Sequence, residues 1–158
     1  MRKLATVLHV DDSEDDRILL RYAMGKNQNT FALQSVNDGH VAIEYLGGVG
    51  EYHDRERFPM PVLILLDIKM PGMNGFDVLK WIRAQPALKD TAIAILSSSY
   101  DEGDVRTAYA LRAGWYLMKP IDYDDMKRLV ELVARWLADP KTNDLSKSPY
   151  YKAPVERS

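Results

Sequence analysis

The sequence predicts an α/β fold in which a parallel sheet of five strands is doubly wound with five helices. Two observations carry that prediction. Short apolar runs alternate along the chain with segments whose apolar residues recur at helical spacing, and such alternation calls for a parallel sheet with helices on both faces. The runs are also followed by polar residues, as strands are where they leave a sheet.

Ala5 to Val10 is rich in Val and Leu and stops at Asp11-Asp12-Ser13, which reads as a strand buried on both faces. Ser13, with Asp16 three residues on, resembles a helix N-cap and leads into Ile18, Leu19, Tyr22 and Ala23 at helical spacing. The pattern repeats as a strand over Phe31 to Val36, a helix over Val41 to Leu46, a strand over Val62 to Leu66 and a helix over Phe76 to Arg83. Ala92 to Leu96 (strand), Val105 to Ala113 (helix) and Trp115 to Met118 (strand) follow. Behind an Asp122 cap, Met126, Leu129, Val130, Val133 and Leu137 line one face of the last helix.

Two stretches depart from the pattern. Gly47 to Pro61 joins the second helix to the third strand with about fifteen residues, where about two to six are usual. Its Tyr52, His53, Arg55, Arg57 and Phe58 suit either a partner contact or a tolerated surface excursion. Beyond Asp139 the chain is polar, Pro-containing and aperiodic. The division expected is therefore one domain over 1–139 and a flexible tail over 140–158.

Composition excludes several classes of function. A net charge of -2, from 21 Lys plus Arg against 23 Asp plus Glu, provides no basic footprint for nucleic acid. The absence of Cys removes disulfides, thiol nucleophiles and Cys-ligated zinc, and it suits a cytoplasmic protein. Met1-Arg2-Lys3-Leu4 opens as a signal peptide does, but Asp11 and Asp12 end the apolar run too early for a signal or a membrane span.

The residues after the strands carry the chemistry. They are Asp11 and Asp12 after the first, Asp67 after the third, Ser97 after the fourth and Lys119-Pro120 after the fifth. In an open parallel sheet all strand C-termini share one edge, where ligands of doubly wound sheets bind. Three carboxylates there repel by about 3 to 4 kcal/mol per pair at contact distance and an effective dielectric near 20. A cation must offset them. Oxygen ligands with open positions suit Mg²⁺, or Mn²⁺ in its place. A divalent cation, the Lys119 ammonium and the Ser97 hydroxyl around one carboxylate match the charge of a transferring phosphoryl group. Asp67 is then the nucleophile.

Val10-Asp11-Asp12, Leu65-Leu66-Asp67-Ile68-Lys69-Met70-Pro71-Gly72-Met73-Asn74-Gly75, Ser97 and Tyr116-Leu117-Met118-Lys119-Pro120 together resemble the receiver domain of two-component response regulators. The resemblance covers about Leu4 to Leu137. It implies a flavodoxin-like, CheY-like sheet of order 2-1-3-4-5, an order the chemotaxis receiver also illustrates in general treatments of the fold. It further implies a phosphoryl group received by Asp67 from a sensor histidine kinase's phosphohistidine. Asp12, Asp67 and the Lys69 backbone carbonyl would ligate the metal, and Asp11 would act through water. Ser97 and Lys119 would hold phosphoryl oxygens, and Tyr116 would be the switch aromatic that turns inward. The peptide before Pro120 would be cis, and Lys69 and Ser99 would stand where receivers tune the access of water.

The expected function is that of a single-domain response regulator whose phosphorylation changes its binding to a downstream protein in a phosphorelay. The long loop and the lack of a segment for an output domain resemble single-domain receivers that pair with phytochrome-type histidine kinases, some of which form homodimers. Two alternatives stand beside this reading. One is an aspartyl-nucleophile phosphohydrolase, against which Lys69 occupies the place of a general acid; the other is a degenerate receiver serving as a scaffold.

Overall fold

The computed structural model describes residues 3–155. Met1 and Arg2 of the expected domain and residues 156–158 of the expected tail lie outside them. The elements run β1 (Thr6–Val10), α1 (Glu14–Met24), β2 (Ala32–Val36), α2 (Gly39–Gly47), β3 (Leu63–Leu66), α3 (Gly75–Ala84), β4 (Ala92–Ser97), α4 (Glu102–Ala110), β5 (Trp115–Met118), α5 (Tyr123–Ala138) and β6 (Tyr151–Lys152). Sheet order is β2-β1-β3-β4-β5-β6. The first five strands pair in parallel, in the order the receiver resemblance implies, and β6 adds an antiparallel edge.

Strand side chains alternate between two cores, because successive residues point to opposite faces. Leu8, Val10, Ile64, Leu66, Ile93 and Ile95 pack with α2, α3 and α4. Val7, Leu63, Leu65, Ala94 and Leu96 pack with α1 and α5. The central strands are therefore buried on both faces, with Thr6 and His9 the polar positions of β1. The helix starts are locked by side-chain caps: Ser13 accepts from the Asp16 N–H, Asp38 from Val41, Asp122 from Asp125, and Asn74 forms a reciprocal capping box with Asp77.

Three expectations change. In α1 the buried face is Leu20, Ala23 and Met24, while Ile18 and Tyr22 of the expected stripe are exposed. Spacing alone admitted both stripes, and the packing of α1 beside α5 selects one. The described part of 140–158 is packed on the domain rather than free of it. Leu145 is fully buried in the α1/α5 core, Asp144 accepts from the Trp115 indole at 3.0 Å, and the Tyr150 carbonyl accepts from the Met118 N–H at 2.8 Å where the segment runs into β6. One buried leucine and an open sheet edge suffice to dock a segment that has no periodicity of its own. Trp115 lies under this segment, in edge contact with Trp136 at 5.4 Å. Finally, the described peptide bonds are all trans, the one before Pro120 included.

The Gly47–Pro61 stretch closes on itself. Arg55 donates to the carbonyls of Tyr45 (2.8 Å), Leu46 (3.1 Å) and Phe58 (3.2 Å), and Tyr45, Tyr52 and Phe58 pack ring to ring. Among the described residues no helix is long and apolar enough to cross a membrane.

Candidate functional site

The sheet positions the polar residues by extending its hydrogen-bond ladder one residue past each strand. The Asp11 N–H donates to Val36 O, the Asp67 N–H to Val10 O, and the Lys119 N–H to Ser97 O, at 2.8 to 3.2 Å. Three side chains distant in sequence are thus held at one edge by backbone contacts. Behind Asp67 the chain turns sharply through Gly72, at φ +73°, a region that favours glycine. Gly75 then passes so close that a Cβ there would collide with the Asp67 carbonyl oxygen and lie 2.8 Å from the Ile68 Cα.

Asp11, Asp12 and Asp67 each offer a carboxylate oxygen, all within 4.8 Å of one another. That cluster could hold a divalent cation among its carboxylates, and an all-oxygen set suits a hard ion. Asp11 and Asp67 are buried and Asp12 is exposed, which leaves the ion a face toward water. Lys119, at 9% side-chain exposure, places its ammonium 2.8 Å from Asp11, 2.9 Å from Asp16 and 3.3 Å from Asp67. The role of Asp16 at Lys119 was not legible in the sequence, where the residue is accounted for by the α1 cap, its N–H donating to the Ser13 hydroxyl. Four carboxylates against one ammonium leave three negative charges in excess.

The electrostatics follow from burial and neighbours. Burial pushes the Asp67 carboxyl up to about 6, with Lys119 drawing it down and Asp11 pushing it further up. Burial opposes the Asp11 charge as well, but His9, Lys119 and the Ser13 N–H outweigh it and hold that carboxyl well below the usual range. Burial likewise works against the Lys119 charge, and its carboxylate partners more than reverse this, raising the ammonium above its ordinary value. The shared proton affinity belongs to the cluster as a unit. His9 is buried in β1; its Nδ1 has no hydrogen-bond partner and its Nε2 lies 3.6 Å from Asp11.

Ser97 is fully buried at the end of β4, and its hydroxyl accepts from the Ser99 N–H at 3.1 Å. Tyr116 is buried on β5 and donates its hydroxyl to Ser99 O at 3.1 Å, the inward orientation. Arg17, also unremarked in the sequence, donates to Asp11 O at 2.7 Å and steadies the turn that carries Asp11 and Asp12. Its spacing from Asp11 placed it one turn into α1, but nothing in the residue type tells a backbone clamp from a solvated arginine.

Residues 7–131 match the response regulator receiver domain family. Response regulator Rcp1 of Synechocystis sp. is 33% identical over 132 residues, covering 83% of this chain and 88% of that protein. Its crystal structure in the Mn²⁺-bound form has a TM-score of 0.73 at 31% identity, over 85% of this chain and 95% of that one. The phosphorylated cyanobacterial phytochrome response regulator RcpA has a TM-score of 0.78 at 28% identity, over 87% of this chain and 96% of that one. The bacteriophytochrome response regulator AtBRR, at 26% identity and a TM-score of 0.69, aligns over 99% of this chain and 100% of its own.

Proposed function

The chain belongs to the response regulator receiver family, which takes phosphoryl groups from histidine kinases, and from that premise we propose that Asp67 is its phosphoacceptor. The observation that carries the proposal is the excess of carboxylates around Asp67 with one buried ammonium at their centre. In the transfer, an Asp67 carboxylate oxygen forms a bond to the phosphorus of a phosphohistidine. The P–N bond breaks, and its electron pair leaves with the imidazole. Lys119, already 3.3 Å from Asp67, has only to slide toward the new phosphoryl oxygens. Ser97 presents a hydroxyl whose acceptor side is occupied by the Ser99 N–H, so its proton is free to be donated. Asp12, Asp67 and the Lys69 carbonyl would hold Mg²⁺, with Asp11 acting through water, and the ion when bound supplies positive charge to the peripheral oxygens of the transferring group.

Phosphorylation adds about -1.5 to -2 charge beside Ser97, and Tyr116 is tied to the same loop through Ser99. A change at Asp67 is therefore relayed to the β4-α4-β5 surface, where a downstream protein would bind. The likeness to RcpA, Rcp1 and AtBRR supports a phytochrome-type kinase as the donor. The cytoplasm is the proposed location, since such a kinase presents its phosphohistidine there.

Incubation with Mg²⁺ and acetyl phosphate, read by intact mass, tests the assignment. The protein gains one phosphoryl group, Asp67→Asn gains none, and Asp12→Ala is labelled weakly. Labelling of Asp67→Asn at the wild-type level overturns the proposal.

A further inference from the structure

Near Asp67 a second carboxylate makes contacts that phosphoryl transfer does not use. Asp104, in the first turn of α4, accepts the Ser99 hydroxyl on Oδ2 at 2.6 Å. The Lys69 ammonium reaches the same oxygen at 3.3 Å. Lys69 lies two residues past Asp67 and Ser99 two residues past Ser97. One carboxylate oxygen thus ties the loop after β3 to the loop after β4, and those strands are neighbours in the sheet. The Asp104 side chain is 16% exposed and that of Lys69 67%, so the carboxylate is the fixed end and the long lysine the end it restrains. Ser99 is saturated around this bridge: its N–H goes to Ser97, its carbonyl takes the Tyr116 hydroxyl, and its own hydroxyl accepts from the Asp101 N–H.

Helix capping does not account for Asp104. The cap of α4 is Asp101, whose carboxylate accepts the Gly103 N–H at 2.7 Å. A favourable charge at the helix start is shared with Glu102, which provides an internal control.

We propose that Asp104 is a positioning residue for dephosphorylation: by holding Lys69 and Ser99 across the two loops, it restricts the approach of water to the phosphorylated Asp67. The inference rests on the reading of Asp67 as phosphoacceptor. In hydrolysis a water oxygen bonds to phosphorus as the bond from phosphorus to the Asp67 oxygen breaks. The electron pair returns to the carboxylate, and the water's two protons leave with the phosphate as dihydrogen phosphate or pass to solvent. Attack is in line, opposite the Asp67 oxygen, hence from beyond the sheet edge where the bridged loops lie.

The test compares wild type, Asp104→Asn, Asp104→Ala and Glu102→Gln, each loaded with acetyl phosphate and Mg²⁺, desalted and followed by intact mass. The phosphorylated lifetime shortens about two- to five-fold in the Asp104 variants, the range open to a partly exposed ion pair with its hydrogen bond, and Ala is the larger. Glu102→Gln keeps the wild-type lifetime. In a Lys69→Met background Asp104→Asn has less effect than in the wild type, as coupled residues require. Equal lifetimes in wild type and both Asp104 variants, or equal shortening by Glu102→Gln, overturn the inference alone. A wild-type protein that takes no phosphoryl group overturns the receiver reading and this inference with it.

Discussion

Lys119 and Arg55 are both cations drawn into the body of the protein, and they are satisfied in opposite ways. Arg55 meets three backbone carbonyls, two of them from the last turn of α2, where unpaired acceptors and the helix dipole favour a cation. Its guanidinium also lies 6.0 Å from the centre of the Tyr45 ring. The Arg55 guanidinium and the Tyr45 hydroxyl are thus both met by neutral backbone carbonyls. Lys119 meets three carboxylates, with a fourth at Asp12 close to two of them. Its surroundings are over-supplied with one sign of charge. A structural loop and a reactive crevice each draw in a cation; what separates them is whether its partners are neutral carbonyls or an excess of carboxylates.

The sharpest way to break this contrast is to remove each cation. Lys119→Met strands buried carboxylates and costs about 3 to 5 kcal/mol of metal-free stability, part of which Mg²⁺ restores, and it weakens labelling. Arg55→Met costs about 1 to 3 kcal/mol through unpaired carbonyls, is indifferent to Mg²⁺ and leaves labelling intact. Urea denaturation with and without Mg²⁺, beside the mass assay, separates the two; equal Mg²⁺ responses would erase the distinction.

A second prediction concerns the loop core alone. Tyr45 is buried and donates its hydroxyl to Pro59 O at 2.8 Å, and burial pushes its phenol up to about 12, against a weaker pull from Arg55. The folded protein therefore keeps this proton where the unfolded chain loses it, above pH 10. Stability falls as pH rises from 10 to 12, by on the order of 2 kcal/mol. Tyr45→Phe flattens that part of the denaturation profile; an unchanged slope refutes the assignment to Tyr45.

The smallest effect is expected at Asp12. Replacing its charge by Asp12→Asn relieves repulsion and raises metal-free stability by no more than about 1 kcal/mol, as for other exposed charges. The rise in melting temperature that Mg²⁺ gives the wild type shrinks in the same variant. A melting curve in chelator that shows Asp12→Asn less stable than wild type would contradict the charge excess.

Much of this was legible in the residues. The apolar runs at Thr6–Val10, Leu63–Leu66 and Ala92–Ser97 are buried on both faces, and such strands have a compositional signature that does not depend on their neighbours. Asp11, Asp12, Asp67, Ser97 and Lys119 were legible because each directly follows a strand, and parallel strands end together. Asp16 and Asp104 were not: each sits in the acidic first turn of a helix, where a carboxylate has a sufficient local reason to be. Only the packing of α1 and α4 beside the strand ends turns one toward Lys119 and the other toward Lys69. The segment after Asp139 was misread for a related reason, since Leu145 and β6 acquire structure from α5 and the β5 edge.

The sequence by itself determined the order of strands and helices, the two-sided burial of the sheet and the identity of the groups at its edge, because these depend on periodicity and on topology rules that act locally. Tertiary structure decided which charge faces which. It added Asp16 to the three expected carboxylates and set Asp11, Asp16 and Asp67 around one ammonium, closed the long loop around Arg55 and laid the tail along β5. Those outcomes depend on distances of a few ångströms between residues as far apart as Asp11 and Lys119, and Coulomb and hydrogen-bond energies vary steeply over that range.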